Sequence, residues 1–166
     1  MEIIFAGYGV VGERARHILG SLAKFVDLRE GREVPPCDVL WSVHWPAKFT
    51  LRDIRSARVA ALNVHNSWLP WGRGADACYW ALQEPYPEHH GATVHWLDEG
   101  LDTGPICWQR AVEVHADDTP EILYDRTANE EVWLFTQVTR MILKGETLGK
   151  EPQVGEGSFH KRSDRP

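Results

Sequence analysis

The feature that most restricts the fold of this chain is the alternation, through its first half, of short apolar runs with stretches of helical periodicity. Short runs rich in branched apolar side chains predict buried strands, and apolar residues three or four apart predict helices packed on a sheet. The predicted strands cover residues 3–6, 25–28, 38–43 and 59–65. The predicted helices cover a segment containing Ala15, Ile18, Leu19 and Leu22, then residues 51–57 and 75–83.

The second half of the chain predicts two more strands and one long helix. The strands cover residues 92–97 and 106–114, and the helix begins near Thr119 and ends near Gly145. Threonine is a favoured residue at a helix N-cap and glycine at a helix end, because each satisfies or accommodates the terminal backbone groups. Strands alternating with helices, followed by a hairpin and a helix, predict a single-domain α/β fold with a mostly parallel, open twisted sheet and flanking helices.

Charge and composition restrict the classes of partner. The formal net charge of −6 over 166 residues disfavours a broad phosphate-binding face, so we expect no nucleic acid partner. No apolar run approaches the roughly 18 residues of a membrane helix, so we expect no membrane partner. The N-terminal segment has no basic leader, and Cys37, Cys78 and Cys107 form no CxxC, which together predict a reduced, cytoplasmic protein.

A glycine motif follows the first predicted strand and permits one reading as a nicotinamide site. Gly7, Gly9 and Gly12 match the GxGxxG pattern, and Asp27 stands near the end of the second predicted strand, where a ribose-binding acid belongs. Glycine at a tight strand-to-helix turn is also required for packing alone. The chain is short for a dehydrogenase, so we favour the packing interpretation and retain a nicotinamide-binding oxidoreductase as an alternative.

Polar residues gather at the end of the fourth predicted strand. Asn63 and His65 occupy alternate positions, so their side chains share one face, and a loop with proline and glycine follows them. In open α/β sheets ligands bind at the carboxyl ends of the strands. A second stretch, after the strand at 92–97, carries the acids Asp98, Glu99 and Asp102, and spacing does not choose among them as a partner for His65.

The two stretches together resemble the signature of the folate-dependent formyltransferases, the group that includes glycinamide ribonucleotide transformylase, methionyl-tRNA formyltransferase and the sugar N-formyltransferases. The matching positions are Asn63, His65, Ser67, Leu69, Pro70, Arg73, Gly74, His90, Gly91, Thr93, His95, Asp102 and Gly104. The segment 157–164 also resembles the Gly-Ser-Tyr-His ending of the sugar N-formyltransferases. The motifs are most similar to that subgroup.

The resemblance implies the family's Rossmann-like fold, with residues 1–145 as the catalytic domain and residues 146–166 as a polar tail packed on it. Asn63, His65 and Asp102 then correspond to the family's catalytic residues, and 10-formyltetrahydrofolate is the implied formyl donor. Asn63 and His65 would stabilise the charge that develops on the formyl oxygen, and Asp102 would keep His65 charged. No metal is expected.

The resemblance also places the two ligands. The pterin slot of the family corresponds to the loops around His44 and Trp45 and around Leu97, Asp98 and Gly100. The acceptor is implied to be a small amine, most closely an amino sugar linked to a nucleotide. The expected acceptor contacts are Arg73, Gly74 and Trp80, and Lys161 and Arg162 are further candidates for its phosphates.

Departures from the family pattern leave alternatives open. About one βα unit is missing between Leu28 and Asp38, so the sheet is expected to be smaller and the protein could be an inactive relative with a binding role. A transformylase of the glycinamide ribonucleotide type and a 10-formyltetrahydrofolate hydrolase remain alternatives. The histidines at 44, 65, 89, 90 and 95 lack a metal-binding spacing, which disfavours a zinc hydrolase. Trp133 and Leu134 fall off the apolar stripe of the long helix and are interpreted as a possible homodimer contact.

Overall fold

A computed structural model describes residues 1–83 and 89–165. The strands of this part are β1 (Ile3–Gly7), β2 (Phe25–Asp27), β3 (Cys37–Val43), β4 (Ala57–His65), β5 (Arg73–Gly74), β6 (Gly91–Trp96), β7 (Ile106–Ala111) and β8 (Phe159–His160). The helices are α1 (Gly9–Leu22), α2 (Leu51–Arg55), α3 (Ala77–Gln83) and α4 (Pro120–Lys144), and a 3₁₀ turn covers Arg162–Asp164.

The main sheet of the described residues has six strands in the order β2-β1-β3-β4-β6-β7. The first four are parallel, whereas β6 runs antiparallel to β4, and β7 runs antiparallel to β6. This confirms the predicted α/β fold with a mostly parallel sheet. Residues 28–36, all of them described, contain no helix, so β2 leads to β3 through a loop where a βα unit of the family is expected to be missing.

The sheet buries both of its faces because apolar residues occupy successive positions in its central strands. Phe5 and Trp41 point to the face covered by α1 and α4, whereas Ile4 and Leu40 point to the face covered by α2 and its flanking loops. The ring centroids of Trp41 and Phe135 of α4 lie 4.8 Å apart, a typical aromatic packing distance. The central strands are therefore fixed on both sides, and their carboxyl ends present side chains at one rim.

Helix α4 has the ends that the sequence predicts. The Thr119 hydroxyl accepts a hydrogen bond from the Ile122 amide, Pro120 is the first helical residue, and Gly145 ends the helix at φ 70°. The expectation for Leu134 is wrong: its side chain is 0% exposed and belongs to the core. The helix packs against the sheet and against α1, so it buries a wider arc than a single apolar stripe. Trp133, in contrast, is 37% exposed.

The segment that follows α4 crosses the edge of the sheet and returns to the end of β4. Ile106 of β7 exchanges backbone hydrogen bonds with Glu151, and β8 pairs in parallel with β5. The Ser158 hydroxyl accepts a hydrogen bond from the Gly72 amide at 2.8 Å. These contacts place the tail beside the loop that follows Asn63 and His65.

Candidate active site

Adjacent strands bring Asn63 and His95 face to face. Asn63 of β4 pairs in register with His95 of β6, and the Asn63 amide nitrogen lies 3.1 Å from His95 Nε2. His95 Nδ1 lies 2.9 Å from the Trp96 carbonyl oxygen, so this nitrogen carries a hydrogen. His95 Nε2 is then free to accept from Asn63, or to carry a second proton toward Asp102.

His65 lies on the same face of β4 as Asn63, as the alternation predicts. Its Nε2 lies 2.9 Å from the Gly72 carbonyl oxygen and therefore donates to it. The same nitrogen is 3.8 Å from Asp102 Oδ2, and both side chains are only 9% exposed. The imidazole is thus held between the loop after β4 and the carboxylate of a distant loop.

Asp102 is the acid that the fold selects from the three candidates. Its φ of 56° turns the carboxylate toward β4 and β6. Its Oδ2 accepts a hydrogen bond from the Gly74 amide at 2.9 Å, and its Oδ1 lies 3.5 Å from His95 Nε2. Asn63, His65 and Asp102 therefore meet at one point, with His95 as a fourth member.

The surroundings of Asp102 keep it ionised. Burial by itself would raise the pKa of this carboxyl group, but the charge of His65, the hydrogen bond and charge of His95 and the Gly74 amide together lower it well below its usual value. A carboxylate that stays negative favours a protonated imidazole beside it. Asp102 therefore brings a fixed negative charge to the two imidazoles beside it.

A large cleft opens over these residues. Its volume is about 1210 Å³, and its lining includes Asn63, His65, Asp102 and Gly74 from the predicted site. Ligand pockets usually enclose about 300–1,000 Å³, so the cleft has room for two ligands at once. His44 and Trp45, which the family resemblance assigns to the pterin slot, line the same cleft.

His44 is tied to a buried acid. Its backbone φ is 53°, and its Nε2 donates to Glu131 Oε1 of α4 at 2.6 Å. The Glu131 side chain is 0% exposed. Burial by itself would lower the pKa of His44, but the charge of Glu131 and the hydrogen bond to it raise the pKa above its usual value. Glu131 of α4 thus holds in place the wall of the cleft that contains His44.

Three residues expected in the pterin slot lie outside the cleft lining: Leu97, Asp98 and Gly100. The Leu97 amide extends the sheet by donating to the Ala61 carbonyl. The Asp98 carboxylate accepts from the Gly100 amide and from the Thr103 hydroxyl, which makes the loop rigid. Leu101, which the sequence did not single out, lines the cleft instead.

Two of the expected acceptor contacts also point elsewhere. The Arg73 guanidinium donates to Gln153 Oε1 at 3.0 and 3.1 Å and does not line the cleft. The Trp80 ring stacks on His160, with centroids 4.0 Å apart, and lies behind the cleft wall. Gly74 lines the cleft, but its amide is used by Asp102. Lys161 and Arg162 do line the cleft, together with Arg165.

The site contains residues that the sequence reasoning missed as site members. His95 was recognised only as part of a motif, and its pairing with Asn63 depends on strand register. Phe159 and His160 line the cleft because β8 pairs with β5. The resemblance of segment 157–164 to the family ending marks this part of the chain, but two-residue strands give no periodic signal for the pairing. The thiol of Cys78 also lines the cleft, but burial, with the charge of Glu131, raises its pKa to about 12, so it is not an activated nucleophile.

The glycine motif after β1 is explained largely by packing. A Cβ on Gly12 would lie 2.8 Å from the carbonyl carbon of Gly7, and a Cβ on Gly7 would lie 2.3 Å from the Phe5 ring. Asp27 accepts a hydrogen bond from Arg16 Nε at 2.8 Å. Two glycines and the acid therefore have structural partners, which favours the packing interpretation over a nicotinamide site.

Possible metal ligands lie away from this cleft. Within the described ranges, the group with a ligand-like arrangement is His115, Asp117 and Asp118, and Asp118 accepts hydrogen bonds from Arg126. Of the histidines considered from the sequence, His90 is buried against the Thr127 hydroxyl, and burial lowers its pKa to about 4. It behaves as a neutral core residue.

With the geometry established, comparison with known proteins identifies the family. A profile described as formyl transferase matches residues 46–139, more than half of the chain. The chain belongs to the formyl transferase family. Methionyl-tRNA formyltransferase of Anaeromyxobacter sp. (strain K) is 50% identical over 68 residues, which are 41% of this chain and 22% of that protein. The matched stretch of this formyl transferase family member thus spans under a quarter of the length of that relative.

Solved structures of formyl transferases share the fold over nearly the whole chain. The formyltransferase PseJ from Anoxybacillus kamchatkensis, in complex with UDP-4,6-dideoxy-4-formamido-L-AltNAc and tetrahydrofolate, superposes with a TM-score of 0.83 at 28% identity, over 99% of this chain and 88% of that chain. Glycinamide ribonucleotide transformylase 1 from Symbiobacterium toebii superposes with a TM-score of 0.70 at 18% identity, over 93% of each chain. Within the described residues, no helix has both the length and the apolarity needed to cross a bilayer.

Proposed function

We propose that the protein transfers a formyl group from 10-formyltetrahydrofolate to the amine of a nucleotide-linked amino sugar. The observation that carries this proposal is the meeting of Asn63, His65 and Asp102 at the floor of one cleft. Membership of the formyl transferase family supports the reaction class. The likeness to a structure that holds tetrahydrofolate and a UDP-linked formamido sugar supports the two ligand classes.

The site residues act on the charge and the proton that the reaction moves. The acceptor amine attacks the formyl carbon, the new C–N bond forms, the bond to the donor nitrogen breaks, and the amine proton passes to that nitrogen. Negative charge develops on the formyl oxygen in between. The Asn63 amide and a protonated imidazole donate hydrogen bonds to it, each worth about 2.7–4 kcal/mol of barrier. Asp102 stabilises the protonated imidazole and accepts the amine proton in transit.

The donor fits the half of the cleft near His44 and Trp45. The His44–Glu131 hydrogen bond holds the loop after β3 against α4, and Leu101 lines the cleft on the Asp102 loop. These loops would hold a flat pterin ring in the cleft that Asn63 also lines. The indole of Trp45 offers an aromatic face at that position.

The acceptor fits the other half, beside the tail. Lys161, Arg162 and Arg165 line the cleft there and suit the negative charges of a nucleoside diphosphate. Asp76 already pairs with Arg165 at 3.6 Å, so Lys161 and Arg162 are the principal phosphate contacts. Phe159 is 47% exposed in the same wall and offers a ring on which a base can stack.

The decisive experiment supplies both substrates and identifies the product. The protein is incubated with 10-formyltetrahydrofolate and a panel of UDP- and dTDP-linked amino sugars, with glycinamide ribonucleotide as a further acceptor, and products are identified by mass spectrometry. We expect a formamido sugar nucleotide. Formate with no acceptor product would favour the hydrolase, and formylation of glycinamide ribonucleotide alone would favour that transformylase.

A matched pair of variants tests the site itself. Asn63→Ala removes an amide at the centre of the cleft, whereas Asn129→Ala removes an exposed amide whose oxygen accepts from Arg14. We expect the first to lower kcat by about 10²–10³-fold and the second to leave it unchanged. Equal kcat values in the two variants would remove Asn63 from the mechanism.

Two further assignments concern the protein as a whole. We infer a cytoplasmic location, supported by the free state of Cys37, Cys78 and Cys107. We also retain the homodimer as a proposal, now resting on Trp133, which packs edge-to-face on the exposed Trp108. The homodimer is tested by sedimentation of the unsubstituted protein and of Trp133→Ala. We expect a dimer in the first and a larger share of monomer in the second.

A further inference from the structure

One side chain of the C-terminal segment contacts the loop of Asp102 at several atoms. Gln153 Nε2 donates to the Asp102 carbonyl oxygen at 2.8 Å and to the Gly104 carbonyl oxygen at 2.9 Å. Gln153 Oε1 accepts from Arg73 Nε and Nη2 at 3.1 and 3.0 Å. Gln153 is partly buried, so these bonds are shielded from solvent competition.

The loop needs such support because its backbone is strained. Asp102 is a non-glycine residue at φ 56°, a conformation that surrounding contacts must enforce. The loop backbone beside it is close-packed, since a Cβ on Gly104 would lie 1.8 Å from the Trp96 carbonyl oxygen. Gln153 binds the carbonyl groups on both sides of this turn.

These contacts form a closed series that includes the Asp102 carboxylate. Gln153 binds the backbone of Asp102, Arg73 binds Gln153, and the amide of Gly74, next to Arg73 in β5, donates to Asp102 Oδ2. The Asp102 carboxylate is thereby held in place through its own backbone and through the Gly74 amide of β5. A shift of either side moves Asp102 relative to His65 and His95.

We propose that Gln153 is a positioning residue, which through Arg73 and the Asp102 and Gly104 carbonyls holds the Asp102 carboxylate against His65 and His95. It does not touch the reacting atoms. Its effect on catalysis rests on the proposed formyl transfer, whereas its effect on the geometry of Asp102 does not.

Two substitutions separate the bonds that Gln153 makes. Gln153→Glu keeps an acceptor for Arg73 but loses both N–H donors and sets carboxylate oxygens against two carbonyl oxygens. Gln153→Met keeps the length and loses every polar contact. Gln109→Met is the matched control, because Gln109 also bridges two groups, the Leu69 carbonyl and the Thr93 hydroxyl, without touching the Asp102 loop.

The first readout is independent of activity. The carboxyl carbon of Asp102 is followed by NMR as the pH is lowered, in the unsubstituted protein and in each variant. In the unsubstituted protein and in Gln109→Met we expect the group to stay ionised at pH values well below the ordinary aspartate pKa. In Gln153→Met and Gln153→Glu we expect its titration to move up into the observable range, because Asp102 leaves its hydrogen-bond donors.

The second readout is the kinetic split. We expect both Gln153 variants to lower kcat by about 10–100-fold with little change in either KM, since a displacement of about 1 Å suffices for such a loss. Thermal unfolding shows whether each variant is folded. If one of the two Gln153 variants does not fold, the other one is compared with Gln109→Met. An Asp102 titration and a kcat that match those of Gln109→Met would overturn the positioning role. Absence of formyl transfer in the unsubstituted protein would overturn the proposed function alone, because the titration result would still stand.

Discussion

Gly74 offers a sharp test of how the tail and the Asp102 loop are joined. Its φ is 91°, and a Cβ built on it would lie 2.2 Å from the His160 carbonyl oxygen and 3.1 Å from the Phe159 ring. Gly74→Ala therefore imposes a strained backbone and a backbone clash at once. Gly155 has a similar φ of 98° with nothing within 4 Å of its built Cβ, so Gly155→Ala imposes the backbone strain alone.

The magnitudes follow from these two contributions. A non-glycine residue at positive φ costs about 1–2 kcal/mol, and overpacking against fixed atoms costs about 1–3 kcal/mol more. Gly155→Ala is thus expected to lower the free energy of unfolding by about 1–2 kcal/mol and Gly74→Ala by about 2–5 kcal/mol. For a chain of this size, 1 kcal/mol corresponds to about 2–4 °C in Tm. The expected loss of Tm is about 4–20 °C for Gly74→Ala.

The assay combines thermal unfolding with formyl transfer. Because the clash separates β5 from β8 and moves the amide that donates to Asp102, Gly74→Ala is expected to lose activity even below its Tm. Gly155→Ala is expected to keep it. Equal destabilisation by the two variants, with activity retained in both, would refute the view that close packing of the tail on β5 sets the position of Asp102.

Three other predictions concern the acid, the buried pair and the long helix. Asp102→Asn is expected to lower kcat by about 10²-fold or more at every pH. Because the pKa of Asp102 is lowered, the acid limb of the unsubstituted protein's pH–rate profile is expected to arise from another group. An acid limb that vanishes in Asp102→Asn would contradict this. Because the pKa of His44 is raised, its pairing with Glu131 contributes stability below the ordinary histidine pKa, and this stability is lost as the pH rises through the raised value. The Tm of the unsubstituted protein is therefore expected to fall more steeply with rising pH than the Tm of Glu131→Gln. Parallel Tm profiles would contradict the pairing. Leu134→Ala is expected to cost about 2–5 kcal/mol in urea unfolding, and Trp133→Ala, at a site 37% exposed, clearly less; the reverse order would contradict the assigned helix face.

The sequence predicted the parts of the site that depend on local periodicity. Alternation in β4 placed Asn63 and His65 on one face, and the strand-to-loop transition placed them at the ligand-binding rim of the sheet. The choice of Asp102 over Asp98 and Glu99 was not predictable from spacing, because it depends on a positive φ and on the amide of Gly74, a residue distant in sequence. His95 likewise became a site residue through its register with Asn63.

Strands too short to show a hydrophobic period could not be predicted from the sequence pattern. The strands β5 and β8 have two residues each, and their pairing joins segments far apart in the chain. The expectation for Leu134 is wrong because a single apolar stripe assumes one buried side, whereas α4 packs against both the sheet and α1. Local pattern reports which face of an element is apolar, but it does not report how many neighbours that element has.

The dependence of the Asp102 loop on Gln153 has a consequence for biosynthesis. The strands of the main sheet and helix α4 all emerge from the ribosome before residue 153, so the Asp102 loop at first lacks its contacts to Gln153. A chain interrupted between Gly145 and Gln153 would lose the Gln153 contacts to the Asp102 loop together with the pairing of β8 on β5. Trimming that begins before Leu148 would also remove a side chain packed against the core, so loss of the tail would affect stability as well as the Asp102 loop.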